Sequence, residues 1–511
     1  MTGRRRPVLV AWLLTLAVTQ LPYLKAALDP PAGTAFVGAF HWLDDVENYL
    51  SFAQQAEDGH LVFTNKLFAG PQAPAMISLE FWLVGRLSAL LGRNPFVAFR
   101  LIGIAAALAL IAALDSVLRV AGLPEPHRLP ALILVATGGG LGGWLFLFSD
   151  LEVSQCLDLS SGLFPFIALL SNPHWTLATA LLLWSLLLFA SRARGAAAGG
   201  VALANVLGLT RPYEPLLLVG ALSLSALRRP ELRPRVLLLC VGLLPWAAYQ
   251  LWLSLVAPSF SFYSQLAYPP FAIPDVVYAL GPAVLLASTA YRHRHAAASH
   301  PMREWLVAWA ALASLAVSIR RPGPQGQLMV GIGLPLLATG ALGLSRWRPI
   351  VTWATAALFE GTAAVAVLIV LRGDPHWHVP AERLHAALAL RPLCQESDVV
   401  FAPPDIGLHV NALTRCRAYV SHPAALDYQE RVREVVAFYG AADPTARAAV
   451  LDAGCVAHVL LPGESEERPV SWLGPETAFR SGAVIGAGSS RITIHSRALT
   501  DCAPAATLRS R

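Results

Sequence analysis

The sequence predicts a polytopic α-helical membrane protein with a small C-terminal α/β domain, and three observations lead there. Of 511 residues, 55% are hydrophobic and 14% charged, with a mean hydropathy of +0.54; an average soluble chain is about 25% charged. The apolar residues fall in runs of roughly 17 to 24, the length that crosses about 30 Å of hydrocarbon at 1.5 Å per residue. From about Gly373 the runs stop, charges return, and short apolar stretches alternate with amphipathic ones.

The elements follow in order. Arg4 to Arg6 and the apolar stretch after them have the layout of a signal peptide. The stretch is longer than a usual h-region, and Lys25-Ala26-Ala27 lacks small-x-small spacing, so it reads as an uncleaved first span. Further spans are predicted near 97–120, 129–149, 173–191, 196–210, 213–227, 236–257, 274–291, 304–319, 327–344 and 350–371, about eleven counting the first at 7–27. The net charge of +6 is carried mostly by arginine in short loops. That pattern reports orientation and excludes a nucleic-acid-binding role. With the N-terminus cytoplasmic, the arginine-rich loops from Arg4–Arg6 to Arg346 and Arg348 fall inside.

Met76 to Gly92 is apolar enough to resemble a span but carries Glu80 and Arg86, with Phe81, Trp82, Leu83, Leu87, Leu90 and Leu91 at helical spacing. It is therefore predicted to lie on the membrane interface, inside one long outer loop over 28–96. The odd span count then puts the C-terminus outside as well. The division is a transmembrane domain over 1–372 and an extracytoplasmic domain over 373–511, in the inner (plasma) membrane.

In the second domain, Val399 to Ala402, Arg417 to Val420, Ala457 to Leu461 and Arg491 to Ile494 read as strands, and Glu382 to Leu390, Tyr428 to Tyr439 and Pro444 to Asp452 as helices. Alternation of this kind predicts an α/β fold. Cys394, Cys416, Cys455 and Cys502 lie here; outside the membrane disulfides are permitted, and a Cys394–Cys416 bridge would clip a helix–strand unit. Four cysteines allow three pairings. No internal repeat is visible, which counts against a transporter of inverted halves.

The chemistry concentrates in His41-Trp42-Leu43-Asp44-Asp45-Val46-Glu47-Asn48-Tyr49, which continues helically to Gly59-His60 just after the first span. An acid, a tyrosine four residues on, and a helical stretch ending in glycine resemble the opening of the GT-C superfamily of membrane glycosyltransferases, among them protein mannosyltransferases, lipid A aminoarabinose transferases and the oligosaccharyltransferase catalytic subunit. Met76 to Gly92, followed by Asn94-Pro95-Phe96-Val97-Ala98-Phe99-Arg100-Leu101, is similar to the family's interfacial helix and arginine-headed second span. The resemblance covers roughly 1–370 as architecture and is sharp only over about 40–103.

It implies transfer of a sugar from a polyprenyl-phosphate carrier to a glycan, lipid or protein acceptor on the non-cytosolic face, with inversion. An alcohol is a poor nucleophile until its proton is being taken. The family spacing makes Asp45 the candidate base, with Asp44 beside it and Tyr49 against the substrate. The bland alternative is that both acids cap a helix starting near Val46.

Other groups join on the same reading. Asp150-Leu151-Glu152, with Asp158 after it, would hold a divalent cation, Mg or Mn, if the enzyme uses one; acid-x-acid is also ordinary solvated charge. In Asn172-Pro173-His174, cap and proline explain the first two and leave His174 as a substrate contact. Arg100, Arg211, Arg320 and Arg321 run against the positive-inside bias and would fork the leaving phosphate, unless they snorkel to head groups. Arg211 would alternatively pair with Glu214, itself a candidate substrate contact. Glu360, midway along the last span, is expected to make a buried hydrogen bond or to be protonated. The rival functions are a lipid-linked sugar flippase and a non-catalytic envelope protein of the same fold.

Overall fold

The computed structural model describes residues 6–40, 42–70, 72–261, 271–291, 300–319, 324–373, 377–425, 427–440, 443–463, 470–473, 478–486 and 491–497. The chain forms two compact units. One comprises Met1–Leu28, Phe99–Trp252 and Ser264–Asp374; the other comprises Asp29–Ala98, Leu253–Tyr263 and Pro375–Arg511.

The first unit is helical and built for a bilayer. Among the described residues, seven helices are long and apolar enough to cross a membrane, or eight if one bent pair counts as a span. Seven or eight of the expected eleven are thus borne out among the described residues. The stretches at 196–210 and 213–227 form the helices Ala196–Thr210 and Glu214–Arg228, 15 residues each; at 1.5 Å per residue these reach about 22 Å. Pro301–Ser318 carries Arg303 and Glu304 in its first turn, which shortens its apolar part.

The 129–149 stretch is the bent pair, Glu125–Thr137 and Gly142–Phe148, turning by 66°. Glycine makes the turn possible. A Cβ on Gly139 would lie 2.1 Å from Thr362 Oγ1, and one on Gly140 2.2 Å from the Ala279 carbonyl. The freed backbone groups are satisfied inside the protein, as a bilayer requires. Gly139 N–H donates to Phe359 O (2.9 Å) and Leu141 N–H to Tyr278 O (3.0 Å). Buried Asp158 accepts from Gly140 N–H, Gly142 N–H and the Thr362 hydroxyl, at 2.9, 3.0 and 2.6 Å. Glu360 sits at the break between Pro349–Phe359 and Gly361–Leu371. It accepts the hydrogen bond expected of it, from the Thr137 hydroxyl at 2.8 Å.

The second unit holds all described strands. β1 (Thr34–Phe36) pairs antiparallel with β2 (His378–Pro380). β3 (Val399–Phe401), β4 (Arg417–Ala418), β5 (Val456–Pro462), β6 (Arg480–Ile485) and β7 (Ile492–Ser496) form a sheet in the order β4-β3-β5-β7-β6, parallel across β4, β3 and β5 and antiparallel thereafter. Central β5 is buried from Val456 to Leu461, as a strand covered on both faces must be. Edge strand β6 is exposed along most of its length. Helices Ala381–Leu390, Pro404–Leu413, Tyr428–Gly440 and Pro444–Ala453 complete the α/β domain. Three of them match the expected helices; the Pro404–Leu413 helix and strand β6 do not appear in the sequence reading.

Phe401 anchors the core against Phe438, ring centroids 4.4 Å apart. Of the three cysteine pairings, the structure takes Cys394–Cys416; Cys502 lies outside the described residues. Within 76–92 the helix is Leu79–Leu90, 12 residues. At about 18 Å it is too short to span. Phe81, Val84, Gly85 and Ser88 are buried while Leu83, Leu90 and Leu91 face outward.

Candidate active site

In the second unit the motif Asp44-Asp45 opens the helix Leu43–Glu57, called here the acid helix. Trp42 precedes it in left-handed conformation (φ 49°, ψ 51°) without a side-chain cap. Both aspartates lie in the first turn, where unpaired N–H groups and the helix dipole favour negative charge. Neither is the cap residue, so the bland capping alternative does not account for them. Asp44 is exposed; Asp45 is half-buried.

The rest of the helix departs from what an outer-loop helix needs. Its polar residues Glu47, Asn48, Gln54, Gln55 and Glu57 are buried, because it packs between the Leu79–Leu90 and Pro404–Leu413 helices. A buried polar group without a partner is costly, and the chain supplies partners. Glu47 Oε1 meets His409 Nδ1 at 2.5 Å. Gln55 exchanges bonds with the Thr64 backbone, Nε2 to O at 3.0 Å and N to Oε1 at 2.9 Å. The buried Lys66 ammonium donates to Gln54 Oε1 and to Thr414 O. Glu57 accepts from Arg391 and from the Ser88 hydroxyl, and Arg415 forks onto Asp58 at 2.7 and 3.0 Å.

These environments shift titrations. Burial pulls Lys66 down to about 7. Burial alone would raise the Asp58 carboxyl, but Arg415, with Arg93 beyond it, outweighs that and holds the pKa below the ordinary range. Burial likewise opposes charge on His409, yet the Glu47 carboxylate holds its pKa above the ordinary imidazole value.

Around Asp45, the His422 Nε2 lies 3.3 Å from Oδ1. The His422 Nδ1 accepts the Ala424 N–H at 2.9 Å. Tyr49, one turn along, stacks on Phe81 with centroids 5.1 Å apart and planes 13° from parallel. His422 escapes sequence reading because it is a lone histidine hundreds of residues from the motif.

The remaining predicted residues lie in the first unit. Arg100 stacks over the Tyr23 ring, 3.9 Å from its centroid, and donates from Nη1 to Leu170 O at 3.1 Å. Its Nε and Nη2 are buried and unpartnered among the described residues. Arg211 Nη1 meets Glu214 Oε1 at 2.5 Å, so the alternative pairing is the one formed. Its Nη2 donates to Gln327 Oε1 at 2.8 Å, and the guanidinium lies 5.6 Å from the Trp175 ring. Buried His174 meets the same ring edge-on. Arg320 and Arg321 lie outside the described residues.

Asp150 and Glu152 are exposed, and Glu152 is engaged with Gln155 in a capping box around the turn Val153–Gln155. Asp158 is committed to the glycine break described above. Among the described residues one trio of possible metal ligands converges, Cys394, Cys416 and His458, and its thiols are joined to each other. Among the described residues, Asp150, Glu152 and Asp158 do not converge as a trio of ligands.

No protein-family model and no curated protein matches the chain. Solved structures do, and they are membrane glycosyltransferases of the GT-C superfamily: the chain has the GT-C fold. The mycobacterial arabinofuranosyltransferase AftD superposes with a TM-score of 0.57 at 17% identity, over 98% of this chain and 40% of that one. The oligosaccharyltransferase AglB of Archaeoglobus fulgidus superposes at 0.54 and 10% identity, over 90% of this chain and 69% of that one, in a complex with an inhibitory peptide and a dolichol-phosphate. Its apo form gives 0.56 and 11%. The chain spans less than half the length of AftD, and the likeness is one of fold.

Proposed function

We propose that the chain is a glycosyltransferase that moves a sugar from a polyprenyl-phosphate donor to a hydroxyl acceptor on the non-cytosolic face of the membrane. The observation that carries the reading is a GT-C fold in which an acidic pair opens the helix after the first span, with Asp45 half-exposed and His422 Nε2 3.3 Å from it. The dolichol-phosphate in the AglB complex supports a lipid-phosphate donor. The Cys394–Cys416 disulfide supports an oxidising compartment for the second unit.

Asp45 takes the proton of the acceptor hydroxyl as that oxygen bonds to the anomeric carbon. The bond from that carbon to the phosphate oxygen breaks, and polyprenyl phosphate leaves with the electron pair. Attack opposite the leaving group inverts the centre. Arg100, with two guanidinium nitrogens unpartnered among the described residues, is the better candidate for the phosphate; Arg211 is occupied by Glu214. Tyr49 and His174 would contact substrate. Asp150 and Glu152 remain the candidate ligands if a cation takes part.

The test uses cells lacking the chain, which accumulate a polyprenyl-linked sugar that the wild-type protein consumes. Asp45→Asn, present at wild-type level and melting normally, leaves that lipid unconsumed. Asp44→Asn retains part of the activity. Full consumption by Asp45→Asn overturns the reading.

A further inference from the structure

We infer that His422 is the positioning residue for Asp45, holding it by a fixed imidazole tautomer; the inference rests on the proposed role of Asp45 as base. The tautomer follows from the neighbours. Nδ1 accepts the Ala424 N–H at 2.9 Å, so it carries no proton. A neutral imidazole then bears its proton on Nε2, the nitrogen 3.3 Å from Asp45 Oδ1. In the free protein this is a contact without hydrogen-bond alignment, of the kind that tightens in a substrate complex.

Two consequences follow. With Nδ1 committed and Nε2 already protonated, His422 has no free lone pair and is not itself the base. Asp45 turns Oδ1 toward His422, which leaves Oδ2 to receive the acceptor's proton. The His422 ring is about 10% exposed and the Asp45 carboxylate 43%. One partner is therefore built into the α/β domain while the other faces solvent. His422 follows β4 and Tyr419, which is locked to Glu434 and stacked against Arg431. The domain thus acts on the first outer loop by setting the direction of one carboxylate.

The two contacts of His422 are separable by substitution. In His422→Asn the side-chain oxygen replaces Nδ1 and keeps the Ala424 N–H, but nothing reaches Asp45. In His422→Gln the amide nitrogen reaches Asp45, and the Ala424 N–H loses its acceptor. The assay uses the full-length variants in membranes of a strain lacking the chain, with that strain's own lipid extract as donor, and reads the rate at which the accumulated lipid-linked sugar is consumed. His422→Asn should melt like wild type and slow consumption by about 10- to 100-fold; His422→Gln should melt lower yet stay within a few-fold of wild type. A silent His422→Asn, equal losses in both variants, or a loss that follows the melting temperature overturns the inference. If Asp45→Asn is inactive in the same membranes while His422→Asn is silent, only the positioning role fails; if Asp45→Asn is active, the base assignment fails with it.

Discussion

Glu47 and His409 form a buried pair, Oε1 to Nδ1 at 2.5 Å, with the carboxylate 1% and the imidazole 3% exposed. Truncating one partner of such a pair strands the other and costs about 3–5 kcal/mol. Glu47→Ala should lower the melting temperature of the detergent-solubilised protein accordingly. The pH dependence has a definite sign. The His409 pKa is raised in the fold, so the pair's contribution is complete below about pH 6.5 and is lost as pH climbs through the raised value. Melting curves across that interval should lose this slope in Glu47→Gln.

Gly85 sets how closely the acid helix approaches its neighbour. A Cβ there would lie 2.1 Å from the Ala53 carbonyl and 2.6 Å from Ala56 Cβ. Alanine is better than glycine in a helix by about 1 kcal/mol, but the clash falls on backbone and outweighs it. Gly85→Ala should destabilise by about 1–3 kcal/mol and reduce transfer beyond what the melting shift explains, measured by differential scanning fluorimetry beside the lipid-consumption assay.

The Cys394–Cys416 bridge spans 22 residues. Closing a loop of that size stabilises by about 3 kcal/mol through the unfolded chain. Replacing both cysteines with serine should lower the melting transition of the α/β domain, read by proteolysis during a thermal ramp; reduction of the wild-type protein should lower it at least as far, since Cys455 is disulfide-bonded too.

Arg211 and Glu214 separate a structural role from a functional one. Arg211→Met leaves Glu214 buried without its cation and should accumulate poorly. Adding Glu214→Gln removes the stranded charge and should restore protein level. If Arg211 also serves the donor phosphate, the double variant is well folded and inactive; restored transfer would make the pair purely structural.

Much of this is readable from the residues. The apolar runs locate nearly every membrane helix, the return of charge near Gly373 locates the α/β domain, and Glu80 with Arg86 excludes a span over 76–92. Three consecutive glycines at 138–140 were the available sign that the 129–149 run breaks, but hydropathy averages over them. Asp158 looks like a loop acid until the turned backbone shows what it binds. His409 and His422 carry no periodicity or spacing signal at all. Their meaning arises only when the Pro404–Leu413 helix and the segment after β4 are folded beside the acid helix.

That packing carries a timing problem for synthesis. Glu47 and His409 are separated by 362 residues, and at about 5–20 residues per second the ribosome needs roughly 20 to 70 s to make the distance. For that interval the acid helix has emerged with buried Glu47 and Glu57 lacking the partners made later, His409 and Arg391. The segment that carries the candidate base is thus translated early and completed late, and a chain shortened anywhere before Leu413 should be inactive whatever the state of its membrane helices.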